Sequence, residues 1–463
     1  MQQRTGLTVL GDYVLSEGVD AVLENLKRAG VTDVATNPTV TEPSPVAGEG
    51  SFQPPTDAGS SPRVFDRPLF GHPSLWVRSA VSYQPNPEHY RHSAYAPRVP
   101  NDLTDRSGPV IAEFIEKATA AGIRVQFQLG AAQPSGLRDE DRPRLPHGEL
   151  PARRVADTAS LASDTLRDWI RAIVADLLEA YPRLDGFRID WPESPCYTLE
   201  EAFQDFSPFV SARARELGFN YDQIHGDVAR LWDLLHGGLR DAHLADLASP
   251  SRGQMTVLGQ LLRAPGVGEW LRLKQTLSAE LMRFWRKTLT EAGGEQIRLS
   301  INAFMPPWTL ATGFGFATAA EVGNSVSPKL YTMHWSQMVE FWGREILEAN
   351  PGLDERLLTA ALVHLMDLTD EPCSGKSLAD YGYPAPDEPH PVSEAVQLRK
   401  IRQATAACGN PDRLCPLVHG YGPLEDFTRR LNLVARSGVR SVWINRYGYL
   451  SDAKLEAIAR VWR

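Results

Sequence analysis

Apolar positions along this chain recur every second residue in short runs, and between those runs they recur with the spacing of a helix face. Residues 7–14 read as a first strand ending near Asp12. Residues 22–29 follow as a short amphipathic helix closed by Gly30, and 31–36 as a second strand. A helix over 110–121 leads to a third strand, 123–129, where Val125, Phe127 and Leu129 alternate with Arg124, Gln126 and Gln128. A helix at 165–180 precedes strand four within 184–193, and strands five to eight follow at 296–304, 327–335, 414–419 and 441–447. Helices at 267–292, 337–348, 354–366, 395–407, 424–436 and 452–462 lie between and after them. Strands and helices in this order predict an α/β fold, a (β/α)8 TIM barrel. No GxGxxG follows a strand and no break in composition divides the chain, which disfavours two doubly wound sheets. The expected organisation is one barrel over 1–463, with long βα-loop insertions. These are a Pro/Gly/Ser-rich loop at 37–73, a helical insert after strand four at 199–262, and a loop at 368–391. The strand-like run 75–83 fits an excursion on the barrel rim.

Strand four, LDGFRIDWPE, carries the sharpest contrast between faces. Phe187, Ile189 and Trp191 point one way, and Gly186, Arg188 and Asp190 the other. Such a strand suits a barrel, with the apolar face under helices and the charged face inside the mouth. Arg188 and Asp190 are then neighbours where an unpaired charge is costly. They read either as a structural salt bridge or as a carboxylate held ionised by a guanidinium at the catalytic end of the barrel.

Composition narrows the partners. The chain has 463 residues, 42% of them hydrophobic, so a sizeable core is possible. A net charge of −9 with no Lys/Arg block disfavours nucleic acid. No run is long and apolar enough to span a bilayer, and the N-terminus lacks the features of a secretory signal. Cys196, Cys373, Cys408 and Cys415 show no CxxC spacing, so neither zinc nor a disulfide framework is suggested. A reduced, cytoplasmic location is the expectation. HExxH, Walker and GxSxG patterns are absent, so no metal, no cofactor and no serine nucleophile are expected.

DGFRID resembles the strand-four motif of the alpha-amylase family, which implies a nucleophile at Asp190 supported by Arg188. It resembles more loosely the DGxDxDxE motif of family 18 chitinases; Asp190 matches the third Asp, Arg188 replaces the second, and Glu193 falls one residue late. The wider pattern VTDVAT…VRSAVSY, AAGIRVQFQLG and DGxxxD resembles a group of bacterial glycoside-hydrolase-like TIM barrels over about residues 7–195. Strand five, LSINAF, lacks the amylase Glu, and strand seven, CPLVHG, lacks that family's later Asp. Neither mechanism therefore transfers whole.

Glycoside hydrolysis uses two carboxyl groups, one protonated and one ionised. Asp190 fits the ionised member. Glu193, beside Trp191 and Pro192, fits the acid if its surroundings are apolar, and otherwise reads as a loop or helix-capping residue. Asp12, Glu321, Asp370 and above all Glu371 are the reserves for that second carboxyl. Lys329 either lines the mouth with Tyr331 or pairs with Asp190. Asn302, His334, His419, Asn445 and Arg446 are expected to bind sugar hydroxyls or carboxylates. Trp191, Trp308, Trp335, Tyr421 and Tyr447 are candidate stacking platforms near strand ends. The expected activity is a retaining glycoside hydrolase acting on an oligosaccharide or polysaccharide. The alternatives are a non-hydrolytic carbohydrate-binding barrel and a lyase on uronic acids, whose carboxylate Arg188, Arg298, Arg446 and Lys329 would bind.

Overall fold

In the computed structural model, residues 4–46, 64–73, 75–369 and 375–462 are described. Eight parallel strands close into a barrel. In chain order the strands of the molecule are β1 (Arg4–Thr8), β2 (Asp33–Thr36), β3 (Thr39–Pro43), β4 (Val77–Val81) and β5 (Arg124–Gly130). β6 (Gly186–Asp190), β7 (Arg298–Ala303), β8 (Ser325–Leu330), β9 (Leu417–His419) and β10 (Ser441–Asn445) follow. Around the barrel the order is β1, β10, β9, β8, β7, β6, β5, β2. β3 and β4 form a separate antiparallel ribbon, so the run at 75–83 is the rim excursion and part of the 37–73 loop is itself a strand. No described helix is long and apolar enough to cross a membrane.

The helices begin and end where their side chains dictate. Asp164–Ala180 starts at Ser163, whose hydroxyl accepts the Leu166 N–H, and it buries Leu166, Trp169, Ile170, Val174 and Leu177 on one face. Pro265–Gly293 starts with Pro at its first turn and stops at Gly294, whose φ of +85° suits glycine. On β6 the outward Phe187 and Ile189 are fully buried, and Phe187 meets Trp285 of the Pro265–Gly293 helix at 6.4 Å between ring centroids. Burial of each such side chain contributes about 1.5–3 kcal/mol.

Two strand ends differ most from the expected ones. The first strand stops at Thr8, and a helix at Gly11–Glu17 places Asp12 in its first turn. The sixth barrel strand stops at Leu330, and His334 and Trp335 lie in the helix Thr332–Ala349. Trp335, Met338 and Val339 are all buried there, and their i, i+3, i+4 spacing is that of a helix face.

Polar side chains enter the barrel interior, and one of them reaches across it. Arg188 points inward from β6, and its guanidinium carbon lies 3.9 Å from the ring centre of Trp443 on β10, across the barrel. Trp443 has room because its neighbour in register is Gly6, where a Cβ would stand 2.0 Å from the indole. The Trp443 indole N–H donates to the Thr8 hydroxyl at 3.0 Å.

Candidate active site

Asp190 ends β6 at the C-terminal mouth of the barrel, the end where barrel enzymes place their chemistry. Its ion partner is Lys329 on β8, with Nζ 2.6 Å from Oδ1, one of the two readings the sequence left for that lysine; Arg188 does not pair with it. The pair is nearly enclosed: the Lys329 side chain is 4% exposed and that of Asp190 14%. Asp190 Oδ1 also accepts the Trp191 N–H at 3.0 Å. Two aromatic rings wall the ammonium, Trp191 at 4.6 Å and Phe304 at 5.2 Å from Nζ to ring centre.

Trp191 does not continue the outward face of the strand. Its φ is +49°, an uncommon backbone for a bulky residue, and this turn brings the indole over Lys329. The indole nitrogen is buried without a hydrogen-bond partner. Backbone strain of this kind collects at functional sites.

Glu193 is completely buried. Oε1 accepts the Phe304 N–H at 2.8 Å, and Oε2 accepts the Thr312 hydroxyl. The neighbouring Ser194 N–H donates to the Thr312 carbonyl at 3.1 Å, so the turn after β6 is sewn to the helix Trp308–Thr312 that follows β7. Burial pushes the Glu193 carboxyl up to about 7, against the pull of these two hydrogen bonds and of the Lys329 charge.

Around this pair the strand ends converge on Tyr331, just past β8. Its ring meets His334 at 5.4 Å and His419 at 4.9 Å between centroids. Asn445, at the end of β10, hydrogen-bonds the Tyr331 phenol, and the charges of Asp190, Arg446 and Arg188 act on it. Burial above all keeps that phenol protonated. His419 Nδ1 accepts the Tyr421 N–H at 3.1 Å, and His334 lies against Tyr197 and Tyr383. Asn302, inward on β7, is fully buried with neither amide atom hydrogen-bonded. Asp12 accepts the Thr41 hydroxyl and faces Arg446; burial raises its carboxyl to about 6. Arg188 is fully buried, and none of its three guanidinium nitrogens has an acceptor. Burial lowers it to about 10.

Trp308 and Trp335 pack on each other and on a lysine. Both are buried, 5.5 Å apart, and they flank Lys400, whose Nζ is 4.6 Å and 5.6 Å from their ring centres. That ammonium donates to the carbonyls of Pro306 at 3.1 Å and Met366 at 3.0 Å. The Tyr421 and Tyr447 hydroxyls are likewise committed, to the Pro384 carbonyl at 2.9 Å and to Glu17 at 2.7 Å. Asp370, Glu371 and Cys373 lie outside the described residues, and the other three cysteines are buried and free. Lys400, Tyr197 and Thr312 were not singled out from sequence. Only Lys400 left a signal, a lysine at a position where the helix periodicity calls for an apolar residue.

No family model matches the chain, and no curated protein does. Solved structures do. The glycoside hydrolase domain of PgaB (BpsB) from Bordetella bronchiseptica superposes with a TM-score of 0.54 at 13% identity, covering 97% of this chain and 95% of that one. What the two chains share is the fold, a closed (β/α)8 barrel. A beta-galactosidase from the psychrophilic Marinomonas ef1 superposes with a TM-score of 0.50 at 10% identity, covering 99% of this chain and 59% of that one.

Proposed function

We propose that this protein is a glycoside hydrolase acting on an oligosaccharide or polysaccharide, with Asp190 as the ionised carboxylate. The observation that carries this is the Asp190–Lys329 pair at 2.6 Å, at the C-terminal mouth of a closed parallel barrel. A nucleophile or general base must be anionic when substrate arrives, and an enclosed ammonium in contact favours the anion. Glycoside hydrolases sharing the fold add to this, as likeness of fold alone.

Glu193 is the proposed partner, because a carboxyl that keeps its proton to about pH 7 has the property a general acid needs. Its oxygens are covered in this form, so the Trp191–Pro192–Glu193 turn has to open for it to reach a glycosidic oxygen. Retention of configuration goes with Asp190 as nucleophile; a water-sized gap between the carboxyls would give inversion instead. A second reading has its own observation. With both oxygens held by Phe304 and Thr312, Glu193 ties two loops together, and Asp12, raised to about 6, donates the proton.

The test is a panel of neutral and acidic oligosaccharides, with reducing ends and the absorbance of unsaturated products read together. Wild type is expected to release reducing ends without that absorbance, and Asp190→Asn to lose at least about a hundredfold in rate while folding normally. Unsaturated products would make the protein a lyase. Binding without any cleavage would make it a carbohydrate-binding barrel.

A further inference from the structure

The two proposed carboxyls share a neighbour that the sequence left with two readings. Lys329 is inward on β8, and its ammonium is boxed by the Asp190 carboxylate, the Trp191 indole and the Phe304 ring. Each wall of that box is also bonded to part of the pair. Phe304 supplies the N–H that holds Glu193 Oε1, and Trp191 supplies the N–H that reaches Asp190 Oδ1. Lys329 touches Asp190 but makes no contact ion pair with Glu193, on which its charge acts from farther away. One cation thus acts unequally on two acids.

We propose that Lys329 is a positioning residue for both carboxyls: its contact with Asp190 aims that carboxylate, and its charge, which reaches Glu193 only from farther away, sets the two acids apart. This rests on the glycosidase roles given above to Asp190 and Glu193. The energetic basis is the distance dependence of the Coulomb interaction, which is strongest for the carboxylate in contact. The other groups that bear on Glu193 are the Thr312 hydroxyl and the Phe304 N–H, with Asp190 and Lys274, the latter lowered by burial to about 7, acting through their charge; the neighbouring Cys196 thiol is pushed well up by burial and stays uncharged. Lys274 comes from the Pro265–Gly293 helix, and its Nζ is committed to the Ala202 carbonyl at 2.8 Å. It stays in place in any Lys329 variant.

The experiment compares wild type, Lys329→Met, Lys329→Gln and Lys329→Arg. Two readouts are used: kcat and KM against pH on the best glycan of the panel, and titration of Glu193 by carboxyl 13C NMR in Glu-labelled protein, assigned with Glu193→Gln. Removal of the charge is expected to cost about a hundredfold in kcat, with a smaller change in KM, as for loss of one preorganised electrostatic partner. The Glu193 titration and the alkaline limb of the rate profile should both move to higher pH in Lys329→Met and Lys329→Gln. Lys329→Arg should keep them near the wild-type position. Equal losses in all three variants with an unmoved Glu193 titration would overturn the proposal and leave Lys329 a packing residue. If wild type cleaves no glycan, the glycosidase assignment fails by itself; the NMR titration then still decides whether Lys329 governs the proton on Glu193. Should Lys329→Met not fold, Lys329→Gln carries the same comparison.

Discussion

Replacing Glu193 with Gln separates a buried proton-holding carboxyl from an ionised one. Holding that proton to about pH 7, where an unperturbed carboxyl releases it near 4.5, corresponds to about 3 kcal/mol. The sign follows from the raised value. The native state binds the proton more tightly than the unfolded chain, so this contribution is fully present below about 4.5 and is lost as pH rises through about 7. Gln mimics the protonated acid. Its carbonyl can take the Phe304 N–H, and its amide can donate to the Thr312 oxygen if that hydroxyl turns to the Thr309 carbonyl, 3.5 Å away. Glu193→Gln is therefore expected to be close to wild type in stability at acid pH and to gain on it by about 3 kcal/mol by pH 8. Asp12, also raised by burial, titrates in both proteins and cancels in the difference. Denaturant unfolding of the two proteins at matched pH values measures this directly. A stability difference that stays flat across that window would refute the proton-holding account of Glu193.

Two other substitutions test the scaffold. Gly6→Ala should destabilise the barrel and move Trp443 off Arg188, because the new Cβ would stand 2.0 Å from the indole; near-ultraviolet circular dichroism and thermal melting report both effects. Lys400→Met should strip the Pro306 and Met366 carbonyls of their donor, at about 1–3 kcal/mol for each unsatisfied group. Denaturant unfolding measures that loss.

The barrel was legible because its strands obey a period of two and its crossover helices a period near 3.6. β6 shows this most clearly: Phe187 and Ile189 face outward and Arg188 and Asp190 inward, as the alternation requires. The ends misplaced most are those where a helix follows the strand within a few residues, at Thr8 and at Leu330. A few apolar residues there satisfy either period. The Asp190 partner was only half legible. Local sequence proposes Arg188, two positions away, but side chains two apart on one strand stack along it, whereas Lys329 comes from two strands around the barrel and meets Asp190 head on. Trp308 and Trp335 follow predicted strand ends in sequence, and both are buried around Lys400. Proximity to a strand end does not specify which way an indole turns. The burial of Glu193 depends on Phe304 and Thr312, more than a hundred residues later, and no local pattern announces it.

The most direct test of Asp190 as the nucleophile of a glycoside hydrolase is covalent trapping. Wild-type protein is incubated with activated 2-deoxy-2-fluoro glycosides matched to the sugar it cleaves, and the proteolytic peptides are read by mass spectrometry. The account predicts one fluoroglycosyl adduct, on the side chain of Asp190, absent from Asp190→Asn. Steady cleavage of the natural glycan with an adduct on another residue would contradict it.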